Sequence, residues 1–256
     1  MVGDDLSSRS FAVLPRDPRV AAWAKAAHVE AVKVAADPVQ QARWLRHSKT
    51  WFVGVDALPN GPDGSIGGVD VAGPWEGAIK MPQALHPAQL SVVYPGYPRR
   101  DPDETDAAHK FRKTRDAAHL DGLLAEGPDK RRHLREPHAW ILGIPLTASD
   151  ASPLVVWEGS HEVIREALMT EFAGLPPAMW GDVDVTGVYN DARAEVFEIC
   201  ERTEVRLTPG QSVILHRLAI HGVAPWAAGA KAPPEGRMMA YFRPVMTDLK
   251  AWLRDD

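Results

Sequence analysis

A chain of 256 residues with 45% hydrophobic and 25% charged residues has enough apolar material to build a sizeable core. A net charge of −5 argues against nucleic acid as the main partner, because phosphate binding normally needs a basic face. One cysteine, Cys200, excludes an internal disulfide and fits a reducing, cytoplasmic setting, where it reads as a small buried apolar residue.

No apolar run approaches the ~20 residues of a membrane helix. The start, Met1-Val2-Gly3-Asp4-Asp5, lacks the basic and apolar regions of a secretory signal. Along the chain, 17–36 predicts a helix, with Val20, Trp23, Ala24, Ala27, Ala31 and Val34 forming a stripe. Asp37-Pro38 interrupts it, and 39–46 resumes for about two turns. Thr50 to Val55 is short, β-branched and aromatic, and turn residues follow it. Ser65 to Ile79 reads as short strands or an irregular hairpin. Gln89 to Tyr94 predicts a strand. A charged loop then leads to the basic run Lys110, Arg112, Lys113, Arg115, read as a solvated face, with a flap drawing in an anionic substrate as the functional alternative.

His138 to Leu146 and Leu154 to Trp157 predict strands, 161–172 a helix with Ser160 and His161 as its cap, and 189–199 a second helix. The last third returns to strands at 203–208, 211–216, 219–226 and 237–244, with a flexible loop over 227–236. The whole reads as one domain, 1–256, with a β core over about 88–245 and an N-terminal helical region over about 17–47. Its expected class is mainly β with flanking helices, arranged as an antiparallel jelly roll.

Chemistry concentrates at His119-Leu120-Asp121. On an extended strand, positions i and i+2 share a face, so imidazole and carboxylate project together. They are two of the three ligands of a 2-His-1-carboxylate iron site. The third should be a histidine on a late strand, His216 or His221. Five residues separate these two, so on a regular strand they face opposite ways. His221 is chosen because Gly222 lets backbone approach closely there. Two other constellations fail: Glu158 and Glu162 fill both glycine positions of a G-x-S-x-G elbow around Ser160, and Arg165 stands where H-E-x-x-H needs a histidine.

His119-x-Asp121, then Gly159-Ser160-His161, Pro209-Gly210, His221-Gly222 and the late Arg237 keep the order seen in one family. Over roughly 89–244 the chain resembles the phytanoyl-CoA dioxygenase family of iron(II)/2-oxoglutarate oxygenases. The resemblance implies a double-stranded β-helix (jelly roll, cupin-like), Fe(II) on His119, Asp121 and His221, and 2-oxoglutarate and O2 as cosubstrates. It implies that Arg237 pairs the far carboxylate of 2-oxoglutarate, and that Gln89 and Trp140 line the cosubstrate pocket. The implied reaction is hydroxylation of a C–H bond of a small or medium-sized molecule, with release of succinate and CO2. Related halogenases carry a small residue in place of the carboxylate, so Asp121 favours hydroxylation.

The gap from His221 to Arg237 is longer than usual in that family, and Trp226 stands where asparagine is common. Arg243, six positions beyond Arg237, shares its face on a strand and is the alternative carboxylate partner. Competing readings are a metal oxygenase that uses no 2-oxoglutarate and a non-catalytic ligand-binding jelly roll. Monomer and homodimer are both open.

Overall fold

The computed structural model describes residues 2–254, so the expected span 1–256 runs past them at both ends. In chain order the elements are α1 (Val2–Arg9), β1 (Phe11–Leu14), α2 (Pro18–Ala36), α3 (Pro38–Trp44), β2 (Leu45–Arg46), β3 (Trp51–Gly54) and β4 (Gln89–Val93). Next come α4 (Asp106–Thr114), β5 (Leu123–Glu126), β6 (Arg131–Leu134), β7 (Trp140–Pro145), β8 (Leu154–Trp157) and α5 (Ser160–Glu171). After a 3-10 turn at Pro177–Asp182 follow α6 (Thr186–Ile199), β9 (Arg202–Val205), β10 (Ser212–His216), β11 (His221–Val223), β12 (Arg237–Phe242) and α7 (Leu249–Trp252).

Two antiparallel sheets carry the fold. The larger runs β1-β10-β7-β12-β4-β3-β2 and the smaller β11-β8-β9, with β5-β6 as a separate hairpin. Strand alternation sorts side chains to two faces. From β12, Met238, Ala240 and Phe242 join Trp23, Ala24 and Ala27 of α2 in one core. Met239 and Tyr241 meet Leu154, Val156 and Val205 of the smaller sheet in another. The far face of the smaller sheet, through Val155 and Trp157, packs on Ile164 and Leu168 of α5 and Val196 of α6. The layers are therefore helix, large sheet, small sheet, helices: a mainly β jelly roll with flanking helices.

The helical boundaries follow from local chemistry. The Asp17 carboxylate accepts from the Arg19 N–H and Pro18 sits in the first turn, which together start α2. Asp37 ends α2, and its side chain accepts from the Val39 N–H to start α3. The alanines on the buried face of α2 let its backbone lie close to the sheet, and Trp23 satisfies its indole N–H on the Gly64 carbonyl at 2.8 Å.

Several sequence expectations need correction. The charged stretch before His119 is a helix, α4, started by the Thr105 hydroxyl accepting from the Ala108 N–H. The 65–79 region holds only isolated bridges, Ile66 to Val69 and Glu76 to Ile79. Neither Ser160 nor His161 caps α5, whose N-cap is Gly159; the Ser160 hydroxyl instead accepts from the Ile220 N–H at 2.9 Å. Cys200 is half-buried at the end of α6, where burial pushes its thiol up. The hairpin β5-β6, the edge strand β1 and α1 and α7 are further elements of the structure.

Candidate metal centre

The site starts from one antiparallel bridge. The His119 N–H donates to the His221 carbonyl at 2.9 Å, and the His221 N–H donates back at 3.1 Å. Residues exchanging both bonds stand directly opposite with side chains on one face. Their rings lie 4.6 Å apart between centroids. Asp121, two residues on, joins that face: its Oδ1 is 3.2 Å from Nε2 of His119 and 3.9 Å from Nε2 of His221. One donor atom from each residue falls within 4.8 Å of the other two.

Both imidazoles are oriented from behind. Nδ1 of His119 meets the Ala117 carbonyl and Nδ1 of His221 the Ala219 carbonyl, each at 3.0 Å. A carbonyl oxygen only accepts, so each Nδ1 carries a proton and each Nε2 is left to face inward. This is how metal-binding histidines are commonly fixed. Burial alone would raise the Asp121 carboxyl, but the hydrogen bond from His119 and the charges of Arg243 and His221 hold it well below the usual carboxylate range. For His221, burial and the neighbouring His119 push the imidazole down to about 4, so near neutrality it is the neutral ligand form. His119 goes the other way: burial alone would lower it, but the hydrogen bond to Asp121 and the carboxylate charge raise it, so its Nε2 carries a proton that a metal ion must displace. With that proton displaced, two nitrogens and one ionised oxygen, convergent and oriented, fit Fe(II).

The backbone around the triad leaves no slack. A Cβ on Gly222 would sit 2.2 Å from the Asp116 carbonyl oxygen, and one on Gly122, whose φ is +90°, 2.2 Å from the Glu136 carbonyl oxygen. The segment ahead of His119 is pinned by Asp116, whose carboxylate takes a forked pair of bonds from Arg202 at 2.7 and 2.9 Å. Gly222→Ala must therefore open the bridge that pairs the two histidines. We expect a loss of about 1–3 kcal/mol in urea denaturation, with weakened metal binding in the folded fraction. Wild-type values in both would show that the backbone yields there.

Arg237 opens β12 opposite Val93, and Val93 packs with Val223, two residues past His221. By alternation Arg237 faces the space between the sheets. It is buried, its Nη1 has no hydrogen-bond partner, and among the described residues its side chain makes no hydrogen bond or ion pair. The cavity beside it measures only about 10 Å³, the room of one water, so an anion reaching it must displace side chains. Gln89 faces the same interior, paired with Tyr241 across β4 and β12.

Trp140 and His216 are not brought to the triad. They pair across β7 and β10, and Trp140 shares the helix-side core with Leu142 and Ile144. Both line a separate cavity of about 580 Å³ with Lys80, Met81 and Pro244. Nδ1 of His216 accepts from the Leu218 N–H at 3.1 Å, and its ring lies 4.4 Å from that of His161, tilted against it by 46°. The residue that sequence reasoning missed is Arg243 as a partner of the triad: its Nη1 donates to Oδ2 of Asp121 at 3.1 Å. Only the shared face with Arg237 hinted at it.

The histidines outside the triad make stability pH-dependent. Burial, with the charges of His161 and Arg217, pushes His216 down to about 2; burial and Arg112 push His47 down to about 4. Below the unfolded value near 6.5 the unfolded chain takes up protons that the folded chain refuses, so stability falls as pH falls. The slope is up to about 1.4 kcal/mol per pH unit for each such histidine. Urea midpoints of metal-free protein at pH 7, 6 and 5 should drop stepwise, less steeply in His216→Gln; equal slopes would remove His216 from the account.

Among comparisons with known proteins, no family model matches the sequence, and no curated protein matches it. Solved structures do align with it at low identity. SnoK, a non-heme alpha ketoglutarate dependent carbocyclase from nogalamycin biosynthesis, is 12% identical, covering 95% of this chain and 83% of its own, with a TM-score of 0.46. EvdMO1 is 13% identical with a TM-score of 0.47 over 96% of this chain and 49% of its own, so the chain spans about half of that protein. EctD from S. alaskensis, in its apoform, is 15% identical over 94% of this chain and 74% of its own, with a TM-score of 0.46. EctD has also been solved with bound Fe, and with 2-oxoglutarate and 5-hydroxyectoine.

Proposed function

We propose that the chain is an Fe(II)- and 2-oxoglutarate-dependent dioxygenase of the phytanoyl-CoA dioxygenase type, hydroxylating a C–H bond of a small or medium-sized molecule. In this reading 1–256 is one domain, with the catalytic β-helix over about 88–245 and the helical region 17–47 supporting it. The observation that carries the reading is the cross-strand pair His119 and His221 with Asp121 on the same face, both Nδ1 atoms engaged on backbone carbonyls. When bound, the iron supplies oxidative decarboxylation of 2-oxoglutarate to succinate and CO2, coupled to hydroxylation of the substrate.

The chain's own residues do the holding. His119 and His221 would offer Nε2, and Asp121 would offer Oδ1. Arg237 would take the far carboxylate of 2-oxoglutarate, since a buried guanidinium without a partner is costly until an anion supplies its bonds. Arg243 is the poorer candidate for that carboxylate. It is already bonded to Asp121, and six strand positions, roughly 20 Å, separate its Cα from that of Arg237. Substrate selection falls to the N-terminal strands and the segments 95–118 and 227–236; Tyr97 of the first segment, and Trp226 just ahead of the second, pack beside Val93 and Val223.

Anaerobic titration with Fe(II), with and without 2-oxoglutarate, tests this through the weak visible charge-transfer band of the chelated complex. The band is expected only with both, and not in His119→Ala. Iron binding that ignores 2-oxoglutarate would move the protein to oxygenases that bind substrate directly, and absence of iron binding would remove the catalytic reading.

A further inference from the structure

The two oxygens of Asp121 have different surroundings. Oδ1 faces Nε2 of His119 at 3.2 Å and Nε2 of His221 at 3.9 Å. Oδ2 accepts from Nη1 of Arg243 at 3.1 Å, and among the described residues nothing else hydrogen-bonds it. Both side chains of this pair are only 12% exposed. Arg243 is itself fixed: its backbone N–H donates to Nε2 of His86 at 3.0 Å, and Nδ1 of His86 lies 2.9 Å from the Asp56 carboxylate.

A carboxylate can grip a cation through one oxygen or through both. Through both, it takes two coordination positions on one ion. With two histidines this would leave two positions open on an octahedral metal rather than three. A cosubstrate that chelates would then fill both, and none would remain. Whether Asp121 uses one oxygen or two therefore decides what the centre can bind.

We propose that Arg243 is a positioning residue that reserves Oδ2, so that Asp121 gives the metal Oδ1 alone and three positions stay open. This rests on the triad being a metal centre. The energetic reason is burial. For Oδ2 to swing onto the metal, Arg243 must lose its partner, and a guanidinium this largely buried is costly to leave unpaired. Nε of Arg243 already lacks a hydrogen bond, so among the described residues no second acceptor is at hand to compensate. His119 and His221 cannot regulate the count in this way, because each has one inward nitrogen.

The test counts exchangeable waters on bound Mn(II), a probe that needs no turnover, by water-proton relaxation of the full chain. Affinity is measured alongside by calorimetry, and thermal melts of the metal-free proteins select folded variants. Wild type and Arg243→Lys are expected to show three waters, since an ammonium can still hold Oδ2. Arg243→Gln, and Arg243→Met as an independent apolar variant, are expected to show two, a fall in relaxivity of roughly one third. Adding 2-oxoglutarate should leave one water in wild type and none in those two variants.

A purely structural tie between β12 and the His119 segment would weaken affinity without changing the count. Three waters retained in both the Gln and Met variants would therefore overturn the proposal, whatever happens to affinity. Wild-type protein that binds no Mn(II) and no Fe(II) would instead overturn the metal centre, and this inference with it.

Discussion

Asp121→Ala is expected to abolish metal binding and to unfold more easily even when no metal is present. The metal term follows from the donor set: the triad loses its only anion, so affinity should fall beyond the ~10–100-fold that loss of an outer partner costs. The stability term follows from what surrounds the carboxylate. Arg243, His119 and His221 all converge on it, and Arg243 is largely buried, with no other acceptor for Nη1 among the described residues. Breaking a buried pair by removing one partner costs about 3–5 kcal/mol. Asp121→Asn keeps the shape and an acceptor for Arg243, so it should recover part of the stability and little of the metal affinity. Urea denaturation in chelator separates the two effects, with Fe(II) titration on the folded protein. An alanine variant with a wild-type midpoint would mean that Arg243 relaxes into solvent, and normal iron binding would sink the triad.

How much of this was legible in the sequence depends on the range of each interaction. His119 and Asp121 sit two apart, which on an extended strand would put them on one face; the structure brings them together with only an isolated bridge at His119 and a turn at Asp121, outside any strand. The helix α2 was equally local: Asp17, Pro18 and the alanine stripe mark its start and its buried side. Trp140 shows where such reasoning ends. The run from 139 to 146 is apolar throughout because β7 is buried on both faces, so no alternation tells which side chains enter the barrel. Only pairing with His216 of β10 and packing against Leu142 and Ile144 assign Trp140 to the helix side.

Ser160 illustrates tertiary override of a local rule. Its hydroxyl is well suited to capping α5, yet the Ile220 N–H claims it across sixty positions of sequence. The edge strand β1 has four residues and gains its identity from β10, with Phe11 opposite Leu215. The contact between Arg243 and Asp121 spans 122 positions and belongs to no motif. Sequence placed Arg243 on the face of Arg237 and offered both as the carboxylate partner. In the structure Arg243 already bonds Asp121, while Arg237 has no hydrogen-bond or ion-pair partner among the described residues.

Arg237→Met carries the second large effect, and its signature is a split. A guanidinium with no hydrogen-bond or ion-pair partner among the described residues contributes desolvation cost without compensation in the cosubstrate-free protein. An apolar side chain of similar length should therefore leave that state as stable as wild type, or more so, as at other sites where function is held against stability. With 2-oxoglutarate the sign reverses. Truncating one partner of a buried, hydrogen-bonded charge pair costs about 2–5 kcal/mol, which is roughly a 30-fold or greater loss of affinity. Iron affinity in the absence of 2-oxoglutarate should not change, because Arg237 bonds none of the triad. Arg237→Lys restores charge but not the planar fork, so it should recover only part of the affinity. A melt of each variant with and without the cosubstrate reads the whole pattern, since a ligand that binds only the folded state raises the midpoint with the logarithm of its affinity. A stability loss of several kcal/mol in Arg237→Met without 2-oxoglutarate would make this arginine a structural residue. Unaltered cosubstrate affinity in that variant would return the role to Arg243 and undo its assignment to Asp121.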